Sequence, residues 1–366
     1  MSKVALNKLC KKGISTLRQK DIVNDGPYPI YGASGIVGYS SNYQNDVQYV
    51  AVVKDGAGVG RANICDARSS VLGTMQALIP VDDVECDYLL HLVRSLRLSE
   101  GFTGSTIPHI YFKDYGKRLV VERSTDEQCH IANLLNAIES RISIIDIQKD
   151  KLDELVKSRF IEMFGDPIEN PFGWDTKPLG ELGELKNGVN FKSVDSGTEI
   201  RCLGVGDFKD RYQISEMDLI SIVSLNGKPN ESQMLRDGDI VFVRSNGNKQ
   251  LVGRCLAVFP GDEEVTFSGF CIRFRNESDG LLLDYLLGCL KSDSMRKAMT
   301  GRGANIQNLS QKILSGVVMP MPPIALQQEF AAFVQKVDKL KSIAQQQIDK
   351  LQMLYDSLAQ EYFSAE

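Results

Sequence analysis

The sequence predicts an α+β protein with a pseudo-twofold internal repeat: two homologous mixed α/β domains separated by a long antiparallel two-helix coiled coil. Three observations carry this. The block Gln128 to Phe164 returns, ungapped, as Gln327 to Phe363 at an offset of 199 residues. The copies share twelve identities, among them Gln128/Gln327, Ala132/Ala331, Ile144/Ile343, Asp150/Asp349, Leu152/Leu351, Leu155/Leu354 and Phe164/Phe363, where average residue usage gives about two or three. So long a period is a duplicated half-molecule, because solenoid units run roughly 20 to 50 residues. Both copies also carry heptad spacing, and the regions before them repeat a series of landmarks in order.

The first domain is placed at 1–120. It is strand-rich and turn-rich, with an apolar strand Tyr49 to Val53 running into the glycine loop Asp55-Gly56-Ala57-Gly58-Val59-Gly60, and a short amphipathic helix from Asp87 to Leu98. The first repeated helix, within 121–165 and helical over 126–164, has Ile131, Leu135, Ile138, Ile142, Ile145, Leu152, Val156 and Met163 at alternating spacings of three and four, with Lys149 and Arg159 in the two missing slots. Such spacing marks a coiled coil. Phe164-Gly165-Asp166-Pro167 and Asn170-Pro171 end the helix and form a linker, with Trp174, the single tryptophan, read as its anchor on the second domain. That domain, 166–320, repeats the landmarks: a strand Asp239 to Val243 leading to Arg244-Ser245-Asn246-Gly247-Asn248, then Gly253-Arg254 for Gly60-Arg61, Gly269 for Gly73, and Asp284-Tyr285-Leu286-Leu287 for Asp87-Tyr88-Leu89-Leu90. The second repeated helix, within 321–366 and helical over 326–363, carries Phe330, Val334, Val337, Ala344, Ile348, Leu351, Tyr355, Leu358 and Tyr362 in the same frame. Each helix of about 37 residues spans about 55 Å at 1.5 Å per residue. Apolar residues off the seam, namely Leu134, Ile144, Ile147 and Leu155 in the first helix and Phe333, Leu340, Ile343 and Leu354 in the second, exceed what two helices need. They predict either further helices from another subunit or docking onto the chain's own domains.

Composition narrows the chemistry. No apolar run approaches the roughly 18 to 20 residues of a membrane span and no signal region opens the chain, so a cytoplasmic protein is expected. The eight scattered cysteines never form C-x-x-C and are read as reduced core residues. Three histidines, at 91, 109 and 130, argue against histidine-based hydrolysis or a metal centre; His91 and His130 are read as packing or surface residues and His109 as a ligand contact. No metal and no cofactor is expected. Gly56 to Gly60 resembles a dinucleotide or S-adenosylmethionine loop, but Arg61 to Thr74 has no helical period, so a tight turn is preferred. The net charge of −5 speaks against a nucleic-acid binder, although residues 1–120 carry 14 Lys and Arg against 11 Asp and Glu.

The loops nonetheless hold groups suited to duplex DNA, with Arg and Lys for phosphate and guanine, Asn and Gln for adenine. In the first half these are Tyr31, Ser34, Tyr39, Lys54, Asp55 and Arg61, then Thr103, Ser105, Thr106 and His109. In the second half they are Arg244, Asn246, Asn248, Lys249 and Gln250, then Arg302, Asn305, Gln307 and Asn308. Polar loops are commonly only solvated; recurrence at matching repeat positions is what marks these as sets. Similar scaffolds with unlike loops point to two different targets.

Phe164 to Pro167, Asn170-Pro171, Gly173-Trp174, Leu179-Gly180-Glu181-Leu182, Gly238 to Ser245, and Pro320-Met321-Pro322-Pro323 leading to Gln327 together resemble the specificity subunit of Type I restriction-modification systems, over essentially the whole chain. One departure is Val120-Val121-Glu122-Arg123 in place of a proline-rich entry to the first helix. The resemblance implies that each domain is a target-recognition domain reading one half of a bipartite double-stranded DNA sequence. It implies that the helices fix the unread spacer and dock two methyltransferase subunits, and that motor-nuclease subunits complete the restriction enzyme. By the same resemblance the chain has no catalysis of its own. Two other classes remain open: a methyltransferase using the Gly56 to Gly60 loop, and a non-DNA adaptor holding two proteins.

Overall fold

The structure is a computed structural model that describes residues 2–56, 58–100, 108–192, 195–208, 211–300 and 308–364. The chain forms two compact units, Met1–Gln148 with Ile343–Glu366, and Lys149–Ser342. Each long helix therefore begins in one unit and ends in the other.

The first unit contains β1 (Lys3–Ala5), β2 (Cys10–Lys12), β3 (Tyr28–Gly32), β4 (Gly35–Ser40), β5 (Tyr49–Val53), β6 (Ala62–Cys65), β7 (Ser70–Val71), β8 (Met75–Pro80), α1 (Cys86–Ser95), α2 (Phe112–Tyr115) and β9 (Leu119–Val121), followed by α3 (Thr125–Phe164). The second contains β10 (Thr176–Pro178), β11 (Gly183–Asn187), β12 (Thr198–Leu203), β13 (Gln213–Ile214), β14 (Ile222–Leu225), β15 (Asp239–Val243), β16 (Cys255–Val258), β17 (Val265–Phe267), β18 (Cys271–Asn276), α4 (Leu283–Lys291), α5 (Asp293–Thr300), α6 (Gln311–Ser315) and β19 (Val318–Pro320), followed by α7 (Ile324–Phe363). The sheets match one to one. Order β2-β8-β5-β6 in the first unit recurs as β11-β18-β15-β16 with β13 added at the edge, β4-β3-β7 recurs as β14-β12-β17, and β1-β9 as β10-β19. Pairing sense matches too: β3 and β12 each have one antiparallel neighbour and one parallel neighbour. The central strands β5 and β15 are buried at every position, which is why both read as unbroken apolar runs rather than alternating ones.

Within each unit the start of one long helix lies beside the end of the other. In the second, Arg159 pairs with Glu329 at 2.9 Å and Asp153 with Lys341 at 2.6 Å, so the two segments run in opposite senses. In the first, Ile131 and Leu135 share a core with Ala359 and Phe363, and the Arg123 guanidinium donates to the Tyr362 carbonyl at 3.2 Å. The heptad frame is visible in burial: Ile131, Leu135, Ile138, Ile145, Val156, Phe330, Val334 and Val337 are buried, and Ile142, Leu152, Ile348, Leu351, Tyr355 and Leu358 are half-buried. At the helix ends the buried face departs from that frame. Phe160 and Phe164 are buried where the frame names Arg159 and Met163, and Ala359 and Phe363 are buried in the other copy. The terminal turns bury their i, i+4 row against the domain cores, and a straight 3.6-residue helix drifts off a 3.5-residue repeat.

Several expectations are resolved by burial. Off the seam, Ile144, Ile147, Leu155, Leu340, Ile343 and Leu354 are exposed, so docking onto the chain's own domains does not account for them; only Leu134 and Phe333 are half-buried. Seven cysteines are buried, but Cys129 is exposed on α3, a correction to the reading of all eight as core. It sits outside the heptad frame, on the helix face turned to solvent. His91 is buried between the Tyr355 hydroxyl at 2.8 Å and the Asn136 carboxamide oxygen at 2.9 Å, and His130 is exposed.

A buried glutamine joins each domain to its helix. Gln128 Oε1 accepts from the Glu85 backbone N–H at 3.0 Å, while its Nε2 donates to the Asp83 and Arg123 carbonyls. Gln327 Oε1 accepts from Leu282 N–H at 2.9 Å, and its Nε2 donates to the Gly280 and Pro322 carbonyls. Both clamp the start of the short helix, α1 or α4, so the identity of these two residues in the repeat has a geometric cause. The tyrosines behave alike: Tyr88 and Tyr285 donate to the Val121 and Pro320 carbonyls. Valine thus serves where the first entry to the helix lacks proline.

Candidate nucleic-acid interface

In each unit the end of the central strand, the turn before the long edge-adjacent strand, and a segment after the short helix are stitched together by backbone hydrogen bonds. In the first unit Lys54 and Asp55 N–H both donate to the Thr74 carbonyl at 3.0 and 3.3 Å, Ile110 N–H donates to the Lys54 carbonyl at 3.0 Å, and Asp55 bridges His109. In the second, Arg244 and Ser245 N–H donate to the Phe270 carbonyl at 2.8 and 3.3 Å, Leu309 N–H donates to the Arg244 carbonyl at 2.8 Å, and Ser245 bridges Asn308. Lys54 and Arg244 are thus structural equivalents, as are Asp55 and Ser245, His109 and Asn308, and Thr74 and Phe270. The backbone is kept while the side chains change.

The glycine loop closes the β5–β6 hairpin. Val53 N–H donates to the Arg61 carbonyl and Gly60 N–H to the Val53 carbonyl, both at 2.8 Å; Val243, Arg254 and Gly253 repeat this pattern across β15 and β16. Gly60 and Gly253 both have positive φ, +87° and +79°, which L side chains rarely adopt. The element after the loop is strand β6, not the helix that a dinucleotide-binding turn opens.

Sequence candidates fall into four groups. Lys54, Asp55, His109, Arg244 and Asn308 meet at the stitched tips, with Asn246 and Lys249 beside them. His109 Nδ1 lies 2.5 Å from the Asp55 carboxylate and its ring stacks on Tyr111 at 6.4 Å. Tyr31, Ser34 and Tyr39 belong to the β3–β4 hairpin instead; the Tyr31 hydroxyl donates to Asp66 at 2.7 Å and burial pushes its pKa up to about 12. Arg61 lies past the hairpin loop, its Nε 3.4 Å from the Gly58 carbonyl. Asn246 and Asn248 use their carboxamide oxygens locally, accepting from Asn248 and Gln250 N–H at 2.8 and 3.0 Å, which favours the NH2 as the group each offers a ligand. Thr103, Ser105, Thr106, Arg302, Asn305 and Gln307 lie outside the described residues.

Beside the second tip lies a cleft of about 720 Å³, whose walls include Phe191, Ser245, Asn246, Lys249, Phe270 and Asn308. The two phenylalanines are 38% and 63% exposed. Sequence reasoning missed them, because a single apolar residue in a loop carries no period; in the first unit it likewise missed Tyr111, half exposed beneath the Lys113 ammonium, 5.2 Å from its ring centroid. At its base β15 is anchored by Asp239, 1% exposed, in a two-pronged pair with Arg275 at 2.8 and 2.7 Å.

Duplicated α+β units with one backbone and two unlike polar tips define an internally repeated protein that presents two different polar surfaces. Residues 171–353, half of the chain, match the family described as Type I restriction modification DNA specificity domain, and the chain belongs to that family, the specificity subunits of Type I restriction-modification systems. It is similar to the StySPI specificity subunit of Salmonella potsdam, 21% identical over 305 residues that cover 78% of this chain and 65% of that protein; the alignment thus spans just under two thirds of that relative. Two solved structures share the fold. One is the Type I restriction-modification S subunit from M. genitalium, with a TM-score of 0.51 and 17% identity over 100% of this chain and 96% of that one. The other is a chain from a structure of Type I complex assembly and conformational transition, with a TM-score of 0.58 and 16% identity over 99% and 97%. No described helix is long and apolar enough to cross a membrane.

Proposed function

We propose that this chain is the non-catalytic DNA-recognition subunit of a cytoplasmic Type I complex. The domain at 1–120 reads one half of a bipartite duplex target and the domain at 166–320 reads the other. The helices of 121–165 and 321–366 set the unread spacer and dock two methyltransferase subunits; motor-nuclease subunits join a restriction-proficient complex. The observation that carries this reading is the repeated stitched tip, Lys54-Asp55 with His109 against Arg244-Ser245 with Asn308. A cation at the same place in both halves suits phosphate or guanine, and the changed neighbours suit two different base sequences. Exposed Ile144, Ile147, Met353 and Leu354 on the long helices offer the apolar surface a partner helix needs. The hairpin geometry of Gly56 to Gly60 disfavours the methyltransferase alternative.

The test is exchange of residues 1–120 for the corresponding domain of another family member in the reconstituted complex, read by sequencing methylated bases. One half-site should change while the other half and the spacer persist. Change in both halves, or in neither, sinks the proposal.

A further inference from the structure

Phe270 sits in the tight turn between β17 and β18 and is 63% exposed. Its backbone accepts from Arg244 and Ser245, yet Thr74 makes the same two bonds in the first unit, so the fold does not require an aromatic there. A lone exposed ring needs no explanation, but Phe270 shares one cleft with a second exposed ring, Phe191, and with polar side chains, an apolar patch rimmed by polar groups of the kind that takes a ligand. Asn308 stands across the Ser245 bridge. Its counterpart His109 is held by Asp55, but serine replaces that aspartate in the second unit, and among the described residues no side-chain hydrogen bond holds the exposed Asn308. Both residues line the same cleft.

Resting on the DNA-recognition reading, we propose that Phe270 and Asn308 together read one A·T base pair of the second half-site. In the major groove that pair presents adenine N7 and N6, then thymine O4 and the C5-methyl, in one row. A free carboxamide matches the adenine end as acceptor and donor, and a ring beside it matches the methyl, the one apolar group that groove displays. An aromatic wedge that unstacks bases would need no polar companion; here Asn246, Lys249, Ser245 and Asn308 share the cleft with the ring.

The experiment uses the full chain with its methylating subunits. Methylated-base sequencing first gives the wild-type motif; F270A and N308A should then each relax a single A·T position in the half-site assigned to residues 166–320, leaving every other position fixed. Synthetic duplexes carrying deoxyuridine for thymidine, one position at a time, should bind the wild-type complex roughly fourfold more weakly at that position, the factor for one buried methyl, and should bind the F270A complex no more weakly than its thymidine duplex. A motif unchanged by F270A, or wild-type binding indifferent to uracil throughout the half-site, overturns the assignment. A wild-type complex that methylates no bipartite motif would instead overturn the DNA reading itself, a separate result.

Discussion

Removing the Gln327 side chain should loosen the second unit by a predictable amount. The residue is fully buried and makes hydrogen bonds of 2.9 Å to Leu282 N–H, the Gly280 carbonyl and the Pro322 carbonyl. Three bonds at about 1 kcal/mol net each, with a buried N–H left unsatisfied, give a loss of about 3 to 4 kcal/mol for Gln327→Ala. For a unit of this size that corresponds to a fall of roughly 10 °C in the unfolding midpoint. Trp174, the single tryptophan, lies in this unit, so its fluorescence on heating reports the unit directly. Gln327→Leu, which refills most of the volume, should still lose most of the stability, because the orphaned backbone groups remain. A shift under about 2 °C for both variants, against the expectation from three buried bonds, would refute the clamp.

Three further outcomes are expected. Burial holds the His91 imidazole below its ordinary 6.5, so the unfolded chain binds the proton first; the stabilisation from neutral His91 is complete above 6.5 and is lost as pH falls below it towards the depressed folded value. Denaturant titrations of wild type and His91→Gln should diverge in slope below that pH, and parallel curves would discard the idea. A methyl group at Gly288 would come within 2.4 Å of the Phe160 ring, which is wedged among Phe164, Tyr285 and Phe330. Gly288→Ala should therefore cost about 1 to 2 kcal/mol despite its better helix propensity, seen as a lower Trp174 midpoint; an unchanged or higher midpoint contradicts the packing. Arg244→Ala should weaken DNA binding by the complex about tenfold or more, and an unaltered dissociation constant removes Arg244 from the interface.

The duplicated scaffold was legible in the sequence because its signals are periodic or positional. Heptads, the offset of the helix blocks, and the glycines at 60 and 253 each reflect a backbone need that recurs in both copies. The helix ends were not legible: Phe160 and Phe164 are buried by the domain they meet, a tertiary contact that competes with the heptad frame. At the stitched tips, Lys54, His109, Arg244 and Asn308 stand out in the sequence as polar loop residues at matching positions, whereas Phe270, Phe191 and Tyr111 do not, since an isolated exposed aromatic looks like any loop residue until the cleft beside it is seen. Tyr31 on the β3–β4 hairpin and Arg61 beyond the glycine loop share their chemistry with the tip residues but not their place, which chemistry alone does not reveal.

The interleaving of the two units sets an order for biosynthesis. Lys149–Ser342 is one continuous stretch, so every residue of that unit has been translated before the second half of α7 is made. The earlier-translated unit must wait: Tyr355, Ala359 and Phe363, which cover His91 and Tyr88, are added only after the whole of Lys149–Ser342. The half whose translation starts first is thus completed after its neighbour, and a released chain truncated after Ser342 would keep every residue of one unit while leaving the core of the other open to chaperones and proteases.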